Sequence, residues 1–176
     1  HKRQDIAYAL AAARIFGVSD DAIRNAIKSF GGIEHRMEYV GVINSINWYN
    51  DSIATIPTAV MGAVKALGNV DTLLFGGLDR GIDYTDFIAF LSECNINNLV
   101  GLPETGHNII NALKEKGIDK YFYSVENMED AVKKCSEITE KGKSCLFSPA
   151  AASYNYYKNF EEKGKHFKSE IHNLTK

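Results

Sequence analysis

At 176 residues and 45% hydrophobic, the chain is long enough to bury roughly 70% of the surface its unfolded form exposes, which suits one large domain with its own core. Twenty basic residues stand against twenty-two acidic ones, so charge gives no case for nucleic acid, and no apolar run approaches the ~20 residues that span a bilayer. No secretory signal opens the chain, and Cys94, Cys135 and Cys145 form no CxxC pair, so the expected setting is the reducing cytoplasm, without membrane insertion and without structural zinc.

The chain begins on His1 and runs straight into helical sequence, so it is expected to be a piece of something longer, cut at a domain boundary. Ile6, Ala9, Leu10, Ala13 and Phe16 recur at helical spacing until Gly17, which predicts a first helix. Ser19 is the expected N-cap of a second, with Asp20 and Asp21 favourable against the helix dipole, Ile23, Ile27 and Phe30 on one face, and Gly31-Gly32 at its end. Residues 36–43 and 46–51 read as strands joined at Asn44-Ser45 in a hairpin.

From there helices and short apolar strands alternate. Helices are expected over 54–67, 84–94, 105–117, 126–142 and 156–174, and strands over 71–77, 97–102, 120–125 and 144–150. This alternation predicts an α/β fold with right-handed crossovers: a Rossmann-like, open, mainly parallel sheet flanked by helices, with a hairpin near the N-terminal end. Ligands of such sheets bind beyond the carboxyl ends of the strands. The segments leaving the strands there are "NDSIAT", "GGLDRG", "GLPETG" and "SPAAAS", built mainly from small, polar or charged residues, whereas the opposite edge carries the ordinary linkers "GNVD", "CNIN" and "EKGK".

Each candidate has two readings. Asp51 can accept from a ribose, and the Ser52 and Thr55 hydroxyls can hold carboxylate oxygens beside free backbone N–H groups, or Ser52 or Thr55 simply caps the helix that follows. Arg80, in a glycine-rich exit beside Asp79, offers a planar fork that matches a carboxylate, or lies in a solvated turn. Ser148 and Ser153 flank small residues that let a backbone approach a ligand closely, with the following aromatics returning to the core, or the segment is a tight packing turn. Arg36 can meet phosphate, or is a surface arginine beside a capping His35; His107 is an ordinary polar residue. "GKS" at 142–144 is not a phosphate loop, because Glu137 stands where GxxxxGK[ST] needs glycine and the segment enters a strand.

Taken in order, "GGIEHRMEYV" (31–40), "WYNDSIAT" (48–55), "LFGGLDRG" (74–81) and "LFSPAAASYNYYKNFEEKG" (146–164) resemble the C-terminal region of the Mur ligases, and among them the D-glutamate-adding branch. The resemblance covers nearly the whole chain and implies a single amino-acid-binding C-terminal domain over 1–176. Its N-terminal and central ATPase domains, with the phosphate loop and the Mg2+ ligands, then lie elsewhere. It implies ATP-dependent amide formation, in which an acyl phosphate of UDP-N-acetylmuramoyl-L-alanine is attacked by the D-glutamate amine in peptidoglycan precursor synthesis. The isolated domain is expected to be inactive. By the same resemblance Thr55, Arg80, Ser153 and Phe160 (through its backbone) match the D-glutamate-binding positions, Arg36 and Asp51 match positions that meet ATP, and no residue is assigned a catalytic or metal-binding role.

The chain departs from the pattern at four places. Ile53 stands where many relatives have lysine, Arg80 where some have lysine, Asn155 where aspartate is usual, and "HKRQD" lacks the asparagine pattern of the family. Two other readings remain open from sequence: a related ligase domain such as that of a sister Mur ligase or a folylpolyglutamate synthetase, and a free-standing amino-acid- or nucleotide-binding module.

Overall fold

The computed structural model describes residues 3–175 and divides by packing into two units, one running to Ile33 and the other beginning at Glu34. The first is a helix pair, α1 (Arg3–Ile15) and α2 (Asp20–Ser29). Gly17, with φ 74°, turns the chain between them, and the Ser19 hydroxyl accepts from the Ala22 N–H at 3.3 Å to cap α2. Ile23 is buried, whereas Ile27 and Phe30 are exposed.

The second unit carries a six-stranded sheet. Its strands are β1 (Glu38–Ile43), β2 (Ile46–Asn50), β3 (Val70–Phe75), β4 (Asn98–Gly101), β5 (Tyr121–Ser124) and β6 (Ser144–Phe147), in the spatial order β1-β2-β6-β3-β4-β5. Only the β1–β2 pair is antiparallel. Its turn residues, Asn44 and Ser45, both have positive φ (54° and 64°), which the tight hairpin requires to match the strand twist.

The helices are α3 (Pro57–Leu67), α4 (Thr85–Glu93), α5 (Thr105–Glu115), α6 (Met128–Ile138) and α7 (Phe160–Asn173). Strand alternation sends Leu73, Phe75, Leu99 and Leu146 to one face, against Val60 and Val64 of α3, Phe87 and Leu91 of α4 and Ile110 of α5. Leu74, Val100, Cys145 and Phe147 go to the other, against Val132 of α6 and Phe167 and Ile171 of α7. Each large apolar side chain so buried stabilises the fold by about 1.5–3 kcal/mol. The central strands β6, β3 and β4 are buried along their whole length, which is why they read as continuous apolar runs.

Element ends differ from the sequence reading for local reasons. Helix α3 starts at Pro57 and not at 54, because a proline holds the residue before it extended; Ile56 has φ −132° and ψ 147°. Helix α7 starts at Phe160, where the Asn159 side chain caps the Glu162 N–H at 2.9 Å. Strand β6 stops at Phe147, and Ala150 beyond it takes a left-handed φ of 57°. Among the described residues, no helix is long and apolar enough to cross a membrane.

Candidate functional site

Because β2, β6 and β3 are parallel neighbours, their exits lie side by side on one rim. Backbone hydrogen bonds zip these exits together. Asp51 N–H donates to Phe147 C=O (2.8 Å), Ser148 N–H to Leu74 C=O (3.0 Å), Ala150 N–H to Ala54 C=O (2.9 Å) and Leu78 N–H to Ala152 C=O (2.9 Å). Gly77 makes the last contact possible: at φ 155° its backbone lies so close to the Ala152 carbonyl that a Cβ there would collide with it.

The zipped exits enclose a cavity of about 190 Å³. Thr55 comes to it from the β2 exit, Arg80 from the β3 exit, Ser153 from the β6 exit and Phe160 from the first turn of α7. Ile53, Ala152 and Tyr154 complete the lining, so among the described residues Arg80 supplies its one cation. Ser153 is 2% exposed and its hydroxyl has no hydrogen-bond partner. The N-terminus of α7 adds backbone N–H groups that no helical carbonyl can satisfy. One fork-shaped cation, two hydroxyls and a helix N-terminus form a donor set suited to carboxylates.

Unpaired polar atoms concentrate on this rim. Among the described residues, the buried side-chain atoms without a hydrogen bond are Ser52 Oγ, Ser153 Oγ, Asn155 Oδ1 and His35 Nε2, the last of which lies 3.5 Å from the Glu34 carboxylate. At the opposite edge a buried carboxylate is fully used: Asp71 accepts from Asn97 (2.9 Å), Asn98 (3.0 Å) and the Glu140 N–H (3.0 Å). A buried polar group left unpaired costs stability, so its clustering at one rim points to a functional surface.

The helix-cap alternative for Ser52 and Thr55 does not hold, because Ile56 occupies the cap position of α3 without a side-chain hydrogen bond. The expectation that the aromatics after Ser153 return to the core fails for Tyr154 and Tyr156, which are 63% and 69% exposed, since the chain has left the sheet and is buried again only at Lys163, Gly164 and Phe167 of α7.

Asp51 and Arg36 lie beside the cavity without lining it. Asp51 is 4% exposed; one carboxylate oxygen accepts the Met37 N–H (3.0 Å) and the other the Ser148 hydroxyl (2.8 Å). Burial raises its pKa against those two hydrogen bonds and the nearby Arg36 charge. Asp51 therefore ties the turn that carries Arg36 to the β6 exit, while Arg36 itself is exposed. His35 is not a cap but a buried ring, its Nδ1 3.0 Å from Asn50 Nδ2. Asn50 also donates to Glu38 (2.9 Å), and Lys168 bonds both Glu38 and Glu34 at 2.8 Å, so these carboxylates are engaged in an ion-pair network.

The sequence reading missed Lys163 and Gly164. Lys163 is 2% exposed, has no carboxylate partner among its contacts, donates to Gly76 C=O at 2.8 Å and lies 5.7 Å from the centre of the Phe147 ring. Burial alone lowers its pKa to about 7. Gly164 abuts the His35 ring and the Ser52 hydroxyl, both of which a Cβ would strike. The signal was present: Lys163, Phe167 and Ile171 share one helical face, so the lysine falls on the apolar stripe.

Fold and cavity together describe an open α/β domain with a small cavity at its carboxyl rim. Residues 35–151 match the family described as Mur ligase, glutamate ligase domain, and the chain belongs to that family. Among curated relatives it is 36% identical over 177 residues to the UDP-N-acetylmuramoylalanine--D-glutamate ligase of Caldanaerobacter subterraneus subsp. tengcongensis, covering 100% of this chain and 39% of the relative. It is 39% identical over 175 residues to the ligase of the same name from Geobacillus kaustophilus, covering 99% of this chain and 38% of the relative. The chain thus spans under two fifths of the length of these relatives.

Among solved structures, E. coli FolC in complex with ADP superposes with a TM-score of 0.67 at 20% identity, covering 99% of this chain and 40% of that one. The UDP-N-acetylmuramate-alanine ligase of Thermotoga maritima does so at 0.63 and 18%, covering 95% and 36%. At these identities the likeness establishes the α/β fold.

Proposed function

We propose that this chain is the amino-acid-binding domain of an ATP-dependent ligase that adds D-glutamate to UDP-N-acetylmuramoyl-L-alanine in peptidoglycan precursor synthesis. The observation that carries the reading is the single cavity lined by Thr55, Arg80, Ser153 and Phe160, the four residues that the family resemblance matches to D-glutamate binding. Two curated relatives of that name, similar across essentially the whole chain, support it.

In this reading Arg80 holds one carboxylate of the amino acid as a two-pronged donor. The unpaired Ser153 hydroxyl, Thr55 and the N-terminus of α7 at Phe160 hold the other. With Ile53 in the wall in place of a second cation, hydroxyls and backbone N–H groups carry a larger share of the binding. The domain contributes position more than acid–base chemistry: an amine held at a fixed distance from an activated carboxyl reacts as though at very high local concentration. ATP, Mg2+ and UDP-N-acetylmuramoyl-L-alanine are assigned mainly to N-terminal and central domains of the complete protein. This chain adds Arg36, whose exposed guanidinium fits a phosphate and whose turn Asp51 holds through the Met37 N–H. Asp51 itself, with both oxygens engaged inside the fold, is placed to support that turn in addition to any ribose contact.

The test is to titrate the full-length protein with D-glutamate, L-glutamate, meso-diaminopimelate and L-lysine in the presence of ATP and the nucleotide substrate. Phosphate release stimulated by D-glutamate alone supports the reading. Stimulation by L-lysine or meso-diaminopimelate instead moves the chain to a sister ligase, and by L-glutamate alone toward a folylpolyglutamate-type domain.

A further inference from the structure

Resting on the reading of the cavity as the amino-acid site, we propose that Lys163 is a positioning residue: from near the start of α7, its buried amino group donates to the Gly76 carbonyl and thereby fixes where Arg80 stands against Ser153 and Phe160.

The loop that carries Arg80 leaves β3 as Gly76-Gly77-Leu78. The backbone of these three residues is held at four points, and one residue further on the Asp79 N–H donates to the Glu104 carboxylate at 3.3 Å. The Gly76 N–H donates to Pro149 C=O (2.8 Å) and the Leu78 N–H to Ala152 C=O (2.9 Å). The Gly77 carbonyl accepts from Glu104 N–H (2.9 Å), Thr105 N–H (3.1 Å) and the Thr105 hydroxyl (3.0 Å). The fourth point, Gly76 C=O, is held by Lys163 at 2.8 Å. The first three tie the loop to the β6 exit and to α5, whereas Lys163 ties it to α7, the helix whose first residue, Phe160, lines the same cavity.

Glycine makes this loop depend on its neighbours. Gly76 and Gly77 sit at φ 118° and 155°, conformations that place no side chain of their own against the fold. The loop's direction is therefore set from outside. Meanwhile Gly164, adjacent to Lys163, lets α7 press on His35 and Ser52. One helical turn thus contacts the β3 exit, the β2 exit and the turn bearing Arg36.

The choice of lysine is informative. Holding a carbonyl needs only a neutral donor, and a buried ammonium without a carboxylate partner weakens the fold. Its reach and three donors fix a carbonyl across a helix–strand gap that a shorter side chain leaves open.

The test compares Lys163→Met and Lys163→Arg with the wild type in the full-length protein. Three readouts are needed: hydrogen exchange of the amides of residues 76–81, the KM and kcat for D-glutamate, and thermal unfolding. Lys163→Met should speed exchange at 76–81 relative to β4 and raise KM roughly tenfold or more with a smaller change in kcat, at little change in Tm. Lys163→Arg should recover part of both.

Unchanged exchange and unchanged KM in Lys163→Met overturn the proposal. So does a uniform rise in exchange across the sheet with a fall in Tm that Arg does not rescue, since that marks a merely structural lysine. If the wild type makes no use of D-glutamate while Lys163→Met still loosens 76–81, the functional reading falls and the positioning of the Arg80 loop stands.

Discussion

Leu78 and Ala152 form an isolated antiparallel bridge, with the Leu78 N–H 2.9 Å from the Ala152 carbonyl, directly before Arg80 and Ser153 reach their common cavity. The two residues are far apart in sequence, and each lies just past the bridge on its own loop. The bridge joins the β3 and β6 exits beyond the sheet, in the sense opposite to the parallel pairing of the strands themselves.

The bridge depends on Gly77, where a Cβ would strike the Ala152 carbonyl at a φ of 155°. Gly77→Ala should part the two loops, destabilise the domain by about 1–3 kcal/mol and weaken amino-acid binding. Chemical denaturation of this chain and KM in the full-length protein check it; wild-type values in both would show that the loops hold without the bridge.

Gly164 offers a sharper contrast. In an exposed helix interior, glycine to alanine stabilises by up to about 1 kcal/mol. Here the added methyl meets the His35 ring and the Ser52 hydroxyl, both buried. Gly164→Ala should therefore destabilise by about 1–3 kcal/mol, reversing the sign expected from helix propensity. Urea midpoints at constant m-value measure this directly.

Asp51→Ala removes the acceptor for the Met37 N–H and the Ser148 hydroxyl together. Leaving those donors unpaired should cost about 1–3 kcal/mol each where they stay buried. The turn bearing Arg36 should loosen as well, seen as faster hydrogen exchange at Met37. Exchange unchanged at Met37 would assign the turn's order to the His35–Asn50–Glu38 network alone.

Lys163 gives a pH dependence with a defined sign. Burial lowers its pKa from 10.5 in the unfolded chain to about 7 in the fold. Below about 7 both states hold the proton, and the fold bears the full cost of the buried charge. Between about 7 and 10.5 the unfolded chain binds a proton that the fold does not, so stability rises with pH through that window. The Tm difference between wild type and Lys163→Met should shift in favour of the wild type from pH 6 to pH 9.5. A flat difference would mean that the ammonium stays protonated throughout.

The sheet was legible because its central strands are buried on both faces, so "DTLLF" and "SCLF" announce themselves as apolar runs, and the hairpin because Asn44-Ser45 tolerates left-handed backbone. The rim was legible from the contrast between its small and polar exits and the plainer linkers opposite. Lys163 was not, since a lysine in "KNFEEKG" reads as solvated until Phe167 and Ile171 place it on the buried face of α7. The exposure of Tyr154 and Tyr156 was hidden for the converse reason: aromatic residues suggest a core, and only the path of the loop shows that these two lie outside it. Asp51 has one buried oxygen contact to Met37 and another to Ser148, a partner 97 positions along the chain, which no local pattern encodes.

The most direct check is a pair of calorimetric titrations of D-glutamate into the full-length protein, held with a non-hydrolysable ATP analogue and the nucleotide substrate, for the wild type and Arg80→Ala. Arg80 is exposed apart from lining the cavity, so its loss should leave Tm unchanged while weakening D-glutamate binding by about 1.5–3 kcal/mol, a factor of ten or more. Equal affinity in the two proteins, with D-glutamate bound by both, would contradict the placement of the amino acid in this cavity.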